Sequence, residues 1–233
     1  MTAIALVLGA GRGERLGSAE PKALVRLAGR SLVEWSARAL ARARAVDAVQ
    51  PVLPASHLDA LDGLRRAWDE PAALCAPVEG GPTRQDSVRR GLAAARAALG
   101  SAEWVLVHDA ARCLVTPADA EQVLEAARAT GAALPVAPVA DTLKRVAGGR
   151  VVETLDRAAF GLALTPQAFR VRVLAEALDK AEREGFVGSD CASLVERLGI
   201  EVRACAGRPG NFKVTGPEDL ERAAALLAAR ERA

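Results

Sequence analysis

"LVLGAGRGERLGSAEPKALVRLAG", residues 6–29, begins as an apolar strand and then sheds its hydrophobic bulk. The run that leads into it, Ala3–Leu8, is continuously apolar, as expected of a strand covered on both faces. A glycine-rich turn after such a strand exposes backbone N–H groups that suit phosphate oxygens. Two familiar phosphate loops fail on spacing. A GxGxxG fingerprint read from Gly9 needs glycine where Glu14 stands, and read from Gly11 it needs one at Leu16; no Gly-Lys-Ser/Thr triplet occurs. What remains is Gly9, Gly11 and Gly13 with Arg12, Arg15 and Lys22, three cations within eleven residues. That set suits a ligand with several negative charges, such as a triphosphate.

Working outward, strand-like and helical patterns alternate. Ser31–Ala45 has helical spacing with Ser31 as N-cap, Val46–Leu53 reads as strand, Ser56–Trp68 as helix and Ala73–Val78 as strand. A helix over Thr83–Leu99 leads to a compact strand at Trp104–His108. Thr116-Pro117 opens the next helix, Gly131 closes it, and Ala132–Ala137 is again strand. The rhythm predicts a three-layer α/β sandwich around a mostly parallel twisted sheet, one domain over residues 1–233. One excursion interrupts it. In "DTLKRVAGGRVVETLDR", Asp141–Arg157, polar and apolar residues alternate about Gly148-Gly149, the signature of a β-hairpin. It is too polar for the core and reads as a projecting arm over residues 138–159, either a plain surface hairpin or a grip on a second subunit. A final helix runs from Pro217 to about Arg230.

Composition narrows the partners. Of 233 residues 51% are hydrophobic and the formal charge is only +2, which favours neither nucleic acid nor an anionic membrane. The start, MTAIALVLGAG, lacks a basic leader, and no apolar run approaches the ~20 residues that span a bilayer. Cys75, Cys113, Cys191 and Cys205 are scattered, with only His57 and His108 beside them, so a structural zinc is not expected. They read as small hydrophobes in a reducing cytoplasm.

The segment "LGAGRGERLGSAEPKAL" resembles the G-x-G-x-R…PK signature of sugar-nucleotide-type nucleotidyltransferases. Further segments narrow the likeness to the 2-C-methyl-D-erythritol 4-phosphate cytidylyltransferases: "GGPTRQDSVRRGL" (Gly80–Leu92), "VLVHDAAR" (Val105–Arg112), then "DTLKR", "LDR", "LTPQAF", "SDCASLVE" and "NFKVTGPEDL" in order. The resemblance spans essentially the whole chain and implies a Rossmann-like nucleotidyltransferase fold. It implies transfer of CMP from CTP to methylerythritol 4-phosphate with release of pyrophosphate. The substrate phosphate is already anionic, so no general base is required, in keeping with a chain poor in histidine and without GxSxG.

By the same resemblance, Arg15 and Lys22 stabilise the transition state, and Arg157 and Lys213 orient the second phosphate. Leu8, Gly9, Ala10, Gly11 and Gly13 offer backbone to triphosphate and ribose, and Gly81 and Ser87 read the base, although Ser87 equally suits the cap or start of a helix. Asp109, with Ala110 beside it, meets substrate hydroxyls or hydrated magnesium, or simply caps a helix; His108 reads as a packed strand end. Arg112, Thr142 and Thr165 complete the polyol-phosphate site, with Thr165 equally suited to an N-cap. Mg²⁺ is held mainly by the triphosphate, with no protein metal ligands expected. The arm crosses to a partner in a homodimer, so Thr142, Arg157 and Arg112 serve the neighbour's pocket. Pro82 stands where the family often has an acid, and Cys113 where it usually has proline. Other readings are a cytidylyltransferase for another polyol phosphate such as ribitol 5-phosphate, a nicotinamide oxidoreductase, and a non-catalytic nucleotide sensor.

Overall fold

The computed structural model describes residues 2–11, 20–100 and 102–231. In chain order the elements are β1 (Ala3–Leu8), β2 (Arg26–Leu27), β3 (Arg30–Ser31), α1 (Leu32–Ala41), β4 (Val46–Leu53), α2 (Asp62–Arg66), β5 (Ala73–Leu74) and β6 (Val78–Glu79). There follow α3 (Arg84–Leu99), β7 (Trp104–Asp109), α4 (Pro117–Ala127), β8 (Ala132–Pro138), β9 (Leu143–Ala147) and β10 (Arg150–Leu155). The chain continues with β11 (Gly161–Ala163), β12 (Gln167–Arg170), α5 (Val171–Arg183), α6 (Cys191–Glu196), β13 (Arg203–Ala206) and α7 (Pro217–Glu231).

The central sheet runs β5-β4-β1-β7-β12-β8, with β6 also on β4, and β11 and β13 also on β8. β1 pairs parallel with both β4 and β7, whereas β12 runs antiparallel between β7 and β8. The expected mostly parallel sandwich is therefore present, with two reversed strands, β12 and the short edge strand β11, that the sequence did not betray. Side-chain alternation makes the layers. Ala3, Ala5 and Val7 of β1 face α1 and α4 through Val33, Leu40, Val123 and Leu124. Ile4, Leu6 and Leu8 face the opposite layer, with Val88 and Leu92 of α3 and Leu174 and Leu178 of α5.

Helix starts follow their caps. Ser31 accepts from the Glu34 N–H at 3.3 Å, and Thr83 with Asp86 and Thr116 with Asp119 form reciprocal capping boxes. Two expectations need correction. Residues 56–68 are not one helix: a 3₁₀ segment, Ala55–Leu61, precedes the short α2, with His57 outside helical geometry. The strand expected over 73–78 is split into β5 and β6, because Pro77 between them has no N–H for a ladder.

The expected hairpin is present as a separate two-stranded sheet. β9 and β10 pair only with each other, and Gly148 and Gly149 turn at φ 55° and 74°, the left-handed pair a tight hairpin turn demands. Val146, Val151 and Val152 on the arm, and Phe160 and Leu162 just after it, lie exposed.

Candidate active site

A cleft of about 910 Å³ opens beyond the carboxyl ends of β1 and β7, where open α/β sheets take ligands. Leu8, Gly9, Ala10 and Gly11 form one wall, Gly81 and Ser87 the other, and Lys22, Asp109, Ala110 and Lys213 reach it too. Chain segments far apart in sequence thus meet in one cleft. Arg15 and Gly13, with Arg12, lie outside the described residues.

Backbone crowding explains the glycines. A Cβ on Gly9 would fall 2.7 Å from the Ala23 Cβ, and one on Gly80 would fall 2.2 Å from the Ala10 Cβ. Only bare backbone lets the two walls approach so closely. Ser87 lies in the first turn of α3 and is nearly buried. Its hydroxyl accepts from the Gly81 N–H at 3.1 Å and donates to the Thr83 carbonyl at 3.0 Å. The cap of that helix is Thr83, not Ser87, and the Ser87 oxygen keeps one lone pair for a donor in the cleft.

Asp109 is the electrostatic centre. Its Oδ1 accepts from Arg84 Nε at 3.1 Å and its Oδ2 from Lys213 Nζ at 2.8 Å. Burial works to raise its pKa, but Arg84 and Lys213 outweigh burial and hold the carboxyl well below the ordinary carboxylate range. Asp109 is no helix cap. Arg84, missed by the sequence reading, lines the cleft, and its Nη1 also reaches the Cys191 sulfur at 3.5 Å. Burial disfavours the Arg84 charge, yet Cys191 and Asp109 together raise its pKa. It is the first helical residue after the Gly80-Gly81 loop. Arg90 and Glu79, also on the wall, pair at 3.1 Å, and Arg90 donates to the Gly80 carbonyl at 2.9 Å.

Four expected substrate contacts lie elsewhere in this chain. Thr165 is buried, at 4% exposure, and does not line the cleft. Its hydroxyl accepts from the Asp109 N–H at 3.1 Å and meets His108 Nδ1 at 3.0 Å, and it caps no helix. Thr142 and Arg157 are exposed at the base of the arm, where Arg157 donates to the Ala140 carbonyl. Arg112 turns away from the cleft to the carbonyls of Asn211, at 3.0 Å, and Ala163, at 3.3 Å. Cys113 is buried among Leu27, Leu114 and Val214, and burial raises its thiol to about 11. Pro82 lies on the cleft wall.

The sequence matches the family model described as 2-C-methyl-D-erythritol 4-phosphate cytidylyltransferase over residues 3–229. The chain belongs to that family. Its members are nucleotidyltransferases of the cytidylyltransferase type. The protein of that name from Synechococcus sp. strain WH7803 is 41% identical, across 97% of this chain and 99% of the relative. A bifunctional enzyme from Anaeromyxobacter dehalogenans is 45% identical across 97% of this chain, which spans only 57% of that relative's length. The crystal structure of the family's cytidylyltransferase from Thermus thermophilus superposes with a TM-score of 0.74 at 38% identity, covering 96% of this chain and 98% of that one. No helix among the described residues is long and apolar enough to cross a membrane.

Proposed function

We propose that this chain transfers CMP from CTP to 2-C-methyl-D-erythritol 4-phosphate, giving 4-diphosphocytidyl-2-C-methyl-D-erythritol and pyrophosphate. The observation that carries the reading is the Arg84–Asp109–Lys213 cluster set against the Gly9–Gly11 loop in a single cleft. The entering phosphate oxygen bonds to the α-phosphorus of CTP. The bond from that phosphorus to the bridging oxygen breaks, and pyrophosphate leaves with the electron pair.

The barrier is the meeting of anions, so fixed cations answer it. Lys22 on the wall and Arg15 from the glycine loop stabilise charge on the equatorial oxygens and the leaving group. Gly11 and its neighbours offer N–H groups to the triphosphate, and Ser87 with the Gly80–Gly81 backbone faces the cytosine edge. Lys213 takes the second phosphate, and Asp109 faces the polyol hydroxyls.

Among the described residues, no cluster of three or more His, Cys, Asp or Glu could cage a metal. Both carboxylates on the wall, Asp109 and Glu79, already hold cationic partners. That donor set fits a divalent ion such as Mg²⁺ arriving on the triphosphate, where it neutralises phosphate charge.

The exposed valines of the arm support a homodimer in which Thr142 and Arg157 serve the other subunit's cleft; the enzyme works in the cytoplasm. The test is pyrophosphate release from CTP with Mg²⁺ and each polyol phosphate in turn. Turnover with methylerythritol 4-phosphate and little with ribitol 5-phosphate is expected. The reverse preference, or CTP binding without release, overturns the reading.

A further inference from the structure

His108 is completely buried and does not line the cleft, yet its ring joins the Asp109–Arg112 turn to Thr165. Its Nε2 lies 3.2 Å from the Arg112 carbonyl, which can only accept. The ring's single proton therefore sits on Nε2, and Nδ1 is left as an acceptor for the Thr165 hydroxyl at 3.0 Å. That hydroxyl, its proton committed, accepts from the Asp109 N–H at 3.1 Å. The chain of bonds runs one way, from the Asp109 amide through Thr165 and His108 to the Arg112 carbonyl.

The far side of the hub holds Lys213. The Asn211 amide donates to the Thr165 carbonyl at 2.8 Å, Arg112 donates to the Asn211 carbonyl at 3.0 Å, and the Val214 N–H reaches the Ala111 carbonyl at 2.8 Å. Lys213 lies between two anchored residues, and its ammonium meets the Asp109 carboxylate.

We propose that His108 is a positioning residue for the polyol-phosphate half of the cleft, acting as an Nε2–H imidazole wedged between Thr165 and the Arg112 carbonyl. It sets the turn from Asp109 to Arg112 and, through Asn211, the placement of Lys213. The nucleotide half, built from the Gly9–Gly11 and Gly80–Ser87 segments, meets this network at the Asp109 carboxylate, which accepts from Arg84, and at the Ala110 N–H, which reaches the Leu8 carbonyl at 2.9 Å; none of its side chains touches His108 or Thr165 in the bonds above. This rests on the reading of the cleft given above.

The experiment compares Thr165→Val with Thr165→Ser, and His108→Asn with His108→Gln, by KM for each substrate. Loss of one buried bond should raise KM for the polyol phosphate about tenfold in Thr165→Val and leave KM for CTP within about twofold. Thr165→Ser, which keeps the hydroxyl, should stay near the wild-type value. His108→Asn keeps an acceptor toward Thr165 and should be milder than His108→Gln. Equal increases in both KM values, or none, in folded variants overturn the proposal. A second readout needs neither turnover nor a variant. With two histidines in the sequence, ¹⁵N-histidine labelling of the wild-type protein gives a spectrum simple to assign. An Nε2–H ring at His108 at neutral pH is expected, and an Nδ1–H ring overturns the proposal. A wild-type enzyme inert toward polyol phosphates would refute the functional reading instead, leaving the tautomer result to judge this one.

Discussion

The cleft and the arm are built on opposite principles. At the cleft, Asp109 uses both carboxylate oxygens and its amide, and buried His108, Thr165 and Asn211 hold one another. On the arm, the residues of β9 and β10 lie mostly exposed, and the cross-strand pair Arg145–Glu153 at 2.9 Å is bathed in solvent. Such a pair contributes little, so the arm's shape depends on its ladder and its Gly148-Gly149 turn. Yet Thr142 and Arg157 stand at its base, and valines face water along its length. A site whose groups are locked within one chain can be preorganised alone. A hairpin with exposed apolar side chains suits contact with another surface.

The largest expected effect sharpens that contrast inside the cleft. Lys22→Ala, which removes a cation from the cleft wall, should reduce turnover by about 10²–10³ with little change in melting temperature. Steady-state kinetics beside thermal melting checks this, and a loss below tenfold would remove Lys22 from the transition state.

Next comes pH. Burial lowers the His108 pKa from 6.5 to about 4, with Asp109 opposing the shift. The unfolded chain takes up this proton as pH falls through 6.5, whereas the folded chain resists until about pH 4. Stability is therefore full above pH 6.5 and is lost on going down to about pH 4, by up to about 3 kcal/mol. Asp109 and Asp119 have depressed pKa values, so their contribution disappears only at lower pH. Urea unfolding at steps from pH 7 to 5 should show the His108 slope, and His108→Gln should flatten it.

The smallest effect is Ser87→Ala. Its hydroxyl holds the Gly81 N–H, and losing that bond should weaken CTP by about 1 kcal/mol, a severalfold rise in KM, with KM for the polyol phosphate unmoved.

Sequence reading reached the scaffold because its signals are local. The unbroken apolar run of β1, the capping residues Ser31 and Thr116, and the paired glycines of the hairpin each announce themselves within a few positions. The cleft wall was legible through motifs, from Leu8 to Gly11 and from Gly81 to Ser87. What escaped depends on register and distance. Arg84 finds Asp109 twenty-five residues away, and Thr165 turns inward because β12 runs against β7 and carries the preceding turn behind Asp109. No spacing rule within the chain reports such meetings.

The comparison between cleft and arm is tested most directly by mixing two inactive variants, Lys22→Ala and Arg157→Ala, and allowing subunits to exchange. If the arm of one chain finishes the cleft of the other, half the dimers are mixed and each holds one intact site, restoring about a quarter of wild-type turnover. Mixed dimers that form and remain inert would place Arg157 in its own chain's site and contradict the account.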